Sequence, residues 1–144
     1  MNDMNELHID GRWEILRWEQ VYDDGRIVHP MGVQLEGFIE YGPHGMFCAV
    51  GRKDRKHFRT GGQWSADDTE KAAAYDSYLT YAGDYEVNGR EVTHKVRHSL
   101  FPNWVGQDLQ RRVELAGNRL TLTTLPMVIA GRTFTGKLVW ARDE

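Results

Sequence analysis

Between Val92 and Ser99 the chain alternates without a break, with Val92, His94, Val96 and His98 at one parity and Thr93, Lys95, Arg97 and Ser99 at the other. In an extended strand these two sets point to opposite faces. The second set is the solvated one, so two imidazoles are directed, together with valines, at whatever the sheet encloses. A polar group facing an interior needs a partner, a water or a ligand, which makes that interior a candidate site. The strand then runs into LFPNWVG, residues 100–106, which fits no regular period. Its Phe101, Pro102, Asn103 and Trp104 read as a fixed corner between strands, with Asn103 bonding local backbone.

The same alternation recurs in short runs separated by turn signals. Trp13 to Tyr22 alternates, Asp23-Asp24-Gly25 turns it, and Arg26 to His29 resumes before Pro30. Gly37 to Tyr41 and Met46 to Val50 flank Gly42-Pro43-His44-Gly45, expected as a four-residue hairpin loop. Asp84 to Val87 and Glu91 to Ser99 flank Asn88-Gly89, suited to a type I′ turn with both positions at positive φ. Leu109 to Leu115 and Leu120 to Thr124 flank Gly117-Asn118, and Thr133 to Arg142 is the last long strand. Eight or nine strands in this order predict an all-β, antiparallel up-and-down barrel over residues 1–144 as one domain. One helix breaks the pattern: after the capping-box form Ser65-Ala66-Asp67-Asp68, Glu70 to Tyr81 carries an Ala-rich helical stripe through Ala72, Tyr75, Tyr78 and Leu79. The Gly-rich, charged stretch Gly51 to Trp64 before it is the longest candidate loop and the expected mobile element.

Net charge of -3 with mixed signs gives no reason to expect nucleic acid or an anionic membrane as partner. The basic run Arg52-Lys53-Asp54-Arg55-Lys56-His57 reads as a solvated loop. The single cysteine, Cys48, excludes an intramolecular disulfide, and its apolar neighbours mark it as a buried filler. The first ten residues have no apolar segment of signal-peptide length, and no run approaches the ~20 apolar residues of a membrane span. A cytoplasmic monomer or homodimer is expected.

Gly11-Arg12-Trp13 at the start of the first strand resembles the Gly-x-Trp signature of lipocalins. The longer pattern is similar to the bacterial and fungal lipocalin-like domain family, carried by GRWEILRWE, DGRIVHPMG, AAYDSYLTYAGDYEV, VTHKVRHSLFPNWVGQDLQRRVEL, NRLTL and GRTFTGKLVWAR. SLFPNWVG followed by RRVEL is the specific part. The resemblance implies an eight- to nine-stranded barrel with a central cavity, a helix at its side or mouth, and a small hydrophobic or amphipathic ligand; it supplies no reaction.

Within a barrel, parity assigns the lining. Trp13 resembles the lipocalin Trp of the closed end, which places Ile15, Arg17, Glu19 and Val21 inside with it and Arg12, Glu14, Leu16 and Trp18 outside. His94, Val96 and His98 join them, as do Tyr41, Tyr85 and Val87. Arg111, Val113, Leu138 and Trp140 complete the expected pocket. Each has a plainer alternative: Trp13 and Trp140 as structural plugs, Arg17 and Glu19 as an ion pair, the two histidines as satisfied interior groups, Tyr75, Tyr78 and Tyr81 as helix packing. His94 and His98 stand roughly 13 Å apart along a strand, too far to share one ion, and no Cys pair, His-x-His or HExxH spacing exists. Neither a metal nor another cofactor is expected. Two functions remain open. One is a binding barrel, with Arg17, Arg111 or a histidine anchoring an oxygen. The other is a cofactor-independent isomerase, cyclase or dehydratase acting on a hydrophobic, polyketide-like substrate. There His94 or His98 is the general base, Glu19 the acid or orienting group, and Arg17 or Tyr85 the enolate stabiliser.

Overall fold

The structure, a computed structural model, describes residues 7–142. Ten strands form one antiparallel sheet: β1 (Gly11–Tyr22), β2 (Ile27–Val28), β3 (Leu35–Gly42), β4 (Gly45–Arg52), β5 (Tyr78–Asn88), β6 (Glu91–Ser99), β7 (Asp108–Ala116), β8 (Arg119–Thr124), β9 (Met127–Ile129) and β10 (Arg132–Ala141). Their order is β2-β1-β3-β4-β5-β6-β7-β8-β10-β9, and pairing of β1 with β10 closes eight of them into the expected barrel, leaving β2 and β9 as short extensions. Closure removes the edges of the sheet and converts alternation into inside and outside. The fully buried side chains follow it: Trp13, Ile39, Tyr41, Cys48, Val50, Val92, His94, Val113, Leu120 and Trp140.

The hairpins are tighter than their composition suggests. Gly42 pairs with Gly45, so only Pro43 and His44 connect β3 to β4. Asn88 pairs with Glu91, which makes Gly89 and Arg90 the central residues, and only Gly89 takes positive φ, at 59°. Glycine at the first central position with positive φ there alone is the requirement of a type II′ turn, not the expected I′. The choice follows from register, because Val87 and Val92 must face each other.

One α-helix is present among the described residues, α1 (Asp68–Asp76), shorter than the expected Glu70 to Tyr81. The Asp67 side chain accepts from the Glu70 N–H and caps it, and Ser77 ends it. Tyr78 to Tyr81 belong instead to β5, paired with Gly51 to Cys48 of β4. Tyr, Leu, Thr and Tyr suit a pleated surface, and a ready neighbouring strand outweighs the local helical period. No residue of α1 is buried. Of the stretch Gly51 to Trp64, expected to be the mobile element, Gly51 and Arg52 belong to β4 and the rest is tied to α1: the Glu70 carboxylate accepts from the Arg59 and Thr60 N–H groups (2.9 and 3.0 Å) and from the Thr60 hydroxyl (2.6 Å).

Two β-bulges redirect the lining. On β1, Ile15 pairs with Trp140 and Arg17 with Val139, leaving Leu16 without an opposite residue. On β6, Val96 pairs with Gly83 and His98 with Ala82, leaving Arg97 as the extra residue. An extra residue reverses the facing of everything beyond it. The second bulge depends on Gly83, where a Cβ would sit 1.9 Å from the Lys95 carbonyl oxygen. Gly83→Ala therefore pushes β6 off β5; we expect a loss of about 1–3 kcal/mol, measured by urea denaturation. Wild-type stability in that variant would show that β6 can straighten freely.

Candidate functional site

His94 lies at the middle of the inward face of β6, with no solvent exposure. Its Nε2 is 2.6 Å from the Tyr41 hydroxyl on β3, and its Nδ1 is 2.8 Å from the Tyr81 hydroxyl on β5. Both rings also lie against the imidazole, with centroids 5.6 Å away in each case. Tyr85 crosses Tyr41 edge-on at 4.9 Å, and Trp104 crosses Tyr81 edge-on at 5.4 Å, so the Pro102–Trp104 turn closes onto the same cluster. The strand pairings Tyr41 to Met46 and Cys48 to Tyr81 explain the convergence, since β4 lies between β3 and β5.

Burial sets the ionisation of this group. It pushes the His94 pKa down to about 3, helped by the Arg111 charge, so the ring is neutral at ordinary pH. It pushes the phenols of Tyr41 and Tyr81 well above their usual value and the Cys48 thiol up to about 12, with Arg111 opposing each rise. The charge of Arg111 is thus felt by all four groups, as its inward parity with Val113 on β7 requires. Among the described residues no carboxylate lies within ion-pair distance of Arg111, whose Nη1 donates to the Gln110 carbonyl (3.1 Å), whereas the solvent-exposed Arg12, Arg52, Arg97 and Arg132 all have one.

Burial of the inward-facing side chains differs between the two ends of the barrel, complete at the sealed end and partial at the other. At the sealed end the Trp13 indole donates to the Ile9 carbonyl (3.0 Å), and the Arg142 guanidinium covers the ring at 4.0 Å. Beyond the β1 bulge, Trp18 pairs with Leu138 and takes the inward face; both keep part of their surface open, as do inward-facing Leu79, Leu109 and Arg111. The loop carrying α1 and the Pro102–Trp104 turn lie at this partly exposed end.

Of the residues expected to line the pocket, Trp13, Tyr41, Tyr85, His94, Val96, Arg111, Val113, Leu138 and Trp140 face inward, as does Val87. Arg17, Glu19 and His98 do not. The bulge at Leu16 turns Arg17 and Glu19, with Val21, to the outer face, where Arg17 and His29 approach the Glu19 carboxylate at 3.5 and 3.9 Å. The bulge at Arg97 turns His98 out, onto an outer groove of about 540 Å³ shared with Phe47, Ala82 and Arg97. Cys48 is buried in the interior, as its apolar neighbours imply, whereas Tyr81, Trp18 and Trp104 belong to the interior and were not expected there. Tyr81 was hidden by extending the helix too far, and Trp18 by the unannounced bulge. Among the described residues no three His, Cys, Asp or Glu side chains come together to hold an ion.

Residues 10–143 match the family model described as a lipocalin-like domain. The chain belongs to that family. A relative of this lipocalin-like domain, the 4'-hydroxy-3'-methoxypropiophenone carrier protein of Aspergillus oryzae, is 36% identical over 87 residues, covering 54% of this chain and 78% of the relative. A solved structure of an uncharacterized protein from Bacteroides eggerthii aligns over 90% of this chain and 98% of its own, at 15% identity and a TM-score of 0.43.

Proposed function

We propose that this lipocalin-like domain is a carrier that holds a small aromatic or otherwise hydrophobic molecule inside the barrel. The observation that carries the reading is the set of inward aromatic side chains, Trp18, Tyr81, Tyr85 and Trp104, packed around one buried polar cluster. Aromatic walls with few, fixed polar groups are what a small-molecule site needs. The Aspergillus oryzae relative, a carrier of an aryl ketone by name, supports the same class of guest. The reading includes a cytoplasmic location, consistent with a single free thiol, and no nucleic-acid or membrane partner. Among the described residues no helix is long and apolar enough to cross a membrane.

Titration with 4'-hydroxy-3'-methoxypropiophenone or with propylbenzene should quench tryptophan fluorescence saturably. Leu138→Trp, which adds bulk at the partly exposed end of the interior, should weaken that binding at least about tenfold. No saturable quenching by either probe would overturn the carrier reading.

The second reading, a cofactor-independent isomerase, cyclase or dehydratase, is favoured by one feature: His94 bridges two phenols and could pass a proton between them. With Glu19 and His98 outside, the acid-base work falls to His94 alone. Its depressed pKa makes it a weak base at neutral pH, so the carrier reading is preferred. Turnover abolished by His94→Gln with guest binding kept would reverse that preference.

A further inference from the structure

The polar groups inside the barrel are unbalanced. Trp140 has no solvent exposure, and its indole Nε1 has no hydrogen-bond partner among the described residues, unlike Trp13, which donates to the Ile9 carbonyl. Such an orphaned buried donor is uncommon and calls for an explanation. Trp140 faces the interior one inward step below Leu138, which keeps part of its surface exposed.

The histidine cluster adds a second donor. A neutral imidazole has one N–H and one acceptor nitrogen. If Tyr41 donates to Nε2, then Nδ1–H donates to Tyr81 and the Tyr81 O–H is left over; in the other tautomer the Tyr41 O–H is left over. Either way one phenol proton remains after the two internal bonds. Arg111 is the third donor, a partly exposed cation whose Nη1 donates to the Gln110 carbonyl (3.1 Å) and which has no carboxylate among the described residues to neutralise it. The inward positions of the eight barrel strands include no Asp or Glu at all. An interior with donors and one positive charge, and no matching negative charge, is complementary to a guest rich in acceptor oxygens.

We propose that the barrel selects its guest by acceptor oxygens: a carbonyl or ether oxygen takes the Trp140 N–H or the spare phenol O–H, and an acidic oxygen is bound as its anion at Arg111. This rests on the carrier reading and specifies its ligand class as oxygenated aromatics with an ionisable phenol or carboxyl. A hydrocarbon of the same size leaves the indole and phenol donors unpaired and gives Arg111 no counter-ion, which a site built to hydrogen-bond penalises strongly.

The experiment compares propylbenzene, propiophenone and 4'-hydroxypropiophenone by calorimetry on the intact chain. Affinity should rise at least about tenfold from the hydrocarbon to the ketone and rise again with the phenol. The bound 4'-hydroxypropiophenone should show the phenolate absorption band at a pH where the free compound is un-ionised, and Arg111→Met should abolish that band. Trp140→Phe should cost the ketone about tenfold more than it costs propylbenzene. Should that variant fail to fold, ¹⁵N-labelled tryptophan in the wild type gives the same information, because the Trp140 indole resonance should shift with propiophenone and not with propylbenzene. Equal affinity for all three probes with an unmoved indole resonance overturns the selection by oxygens and leaves the carrier reading intact. Failure of all three to bind saturably overturns both.

Discussion

Trp13→Ala should lower the stability of the fold by about 3–5 kcal/mol, read in chemical denaturation as an earlier midpoint at an unchanged slope. Three losses coincide at this position. The side chain is fully buried, so its removal leaves a cavity at the sealed end of the barrel. The Ile9 carbonyl loses the indole N–H that it accepts at 3.0 Å, and an abandoned buried acceptor is itself costly. The Arg142 guanidinium loses the ring it covers at 4.0 Å. Trp13→Phe restores most of the volume but not the N–H, and should fall between. A change below about 1 kcal/mol in the alanine variant would mean that the sealed end relaxes around the gap and that Trp13 does not hold it closed.

The second large effect is a pH dependence carried by His94. In the unfolded chain its pKa is about 6.5; in the folded barrel, burial first and the Arg111 charge second bring it down to about 3. Between those two values the unfolded state takes up a proton that the folded state refuses. The contribution of neutral His94 is therefore complete above pH 6.5 and is lost as the pH falls toward 3, at up to about 1.4 kcal/mol per pH unit. His94→Gln keeps polar contact with the phenols and removes the titration. At pH 7 the wild type should be the more stable of the two. Denaturation midpoints at successive pH values should then show that difference shrinking below pH 6.5, because the other titrating groups are common to both proteins. A difference constant from pH 7 to pH 4 would show that His94 titrates normally and is not sealed between Tyr41 and Tyr81.

The His94 cluster also shows how far a local pattern reaches. His94 was legible as inward-facing because Val92 and Val96 flank it at the same parity. Its partners lie 53 and 13 residues away. Tyr41 was legible from its own strand, but Tyr81 was not, because an Ala-rich stretch continuing into Tyr-Leu-Thr-Tyr satisfies a helical period until β4 is present to pair with it. Arg17, Glu19 and His98 were assigned to the interior by the same parity that placed His94 correctly, and each lies just beyond a bulge. The isolated Gly83 in a strand is the one available sign of the second bulge; Leu16 gives none.

What the sequence by itself determined is the punctuation: glycine and asparagine turns, the alternating runs between them, and hence a closed barrel plugged by a tryptophan. These are local properties, set by φ preferences at single residues and by the two-residue period of a strand. Which face each side chain reaches past Leu16 and Arg97, and which phenols enclose His94, was decided only by tertiary structure. The physical reason is that facing beyond a bulge depends on register against a neighbouring strand, here on Gly83 admitting the Lys95 carbonyl where any Cβ would exclude it.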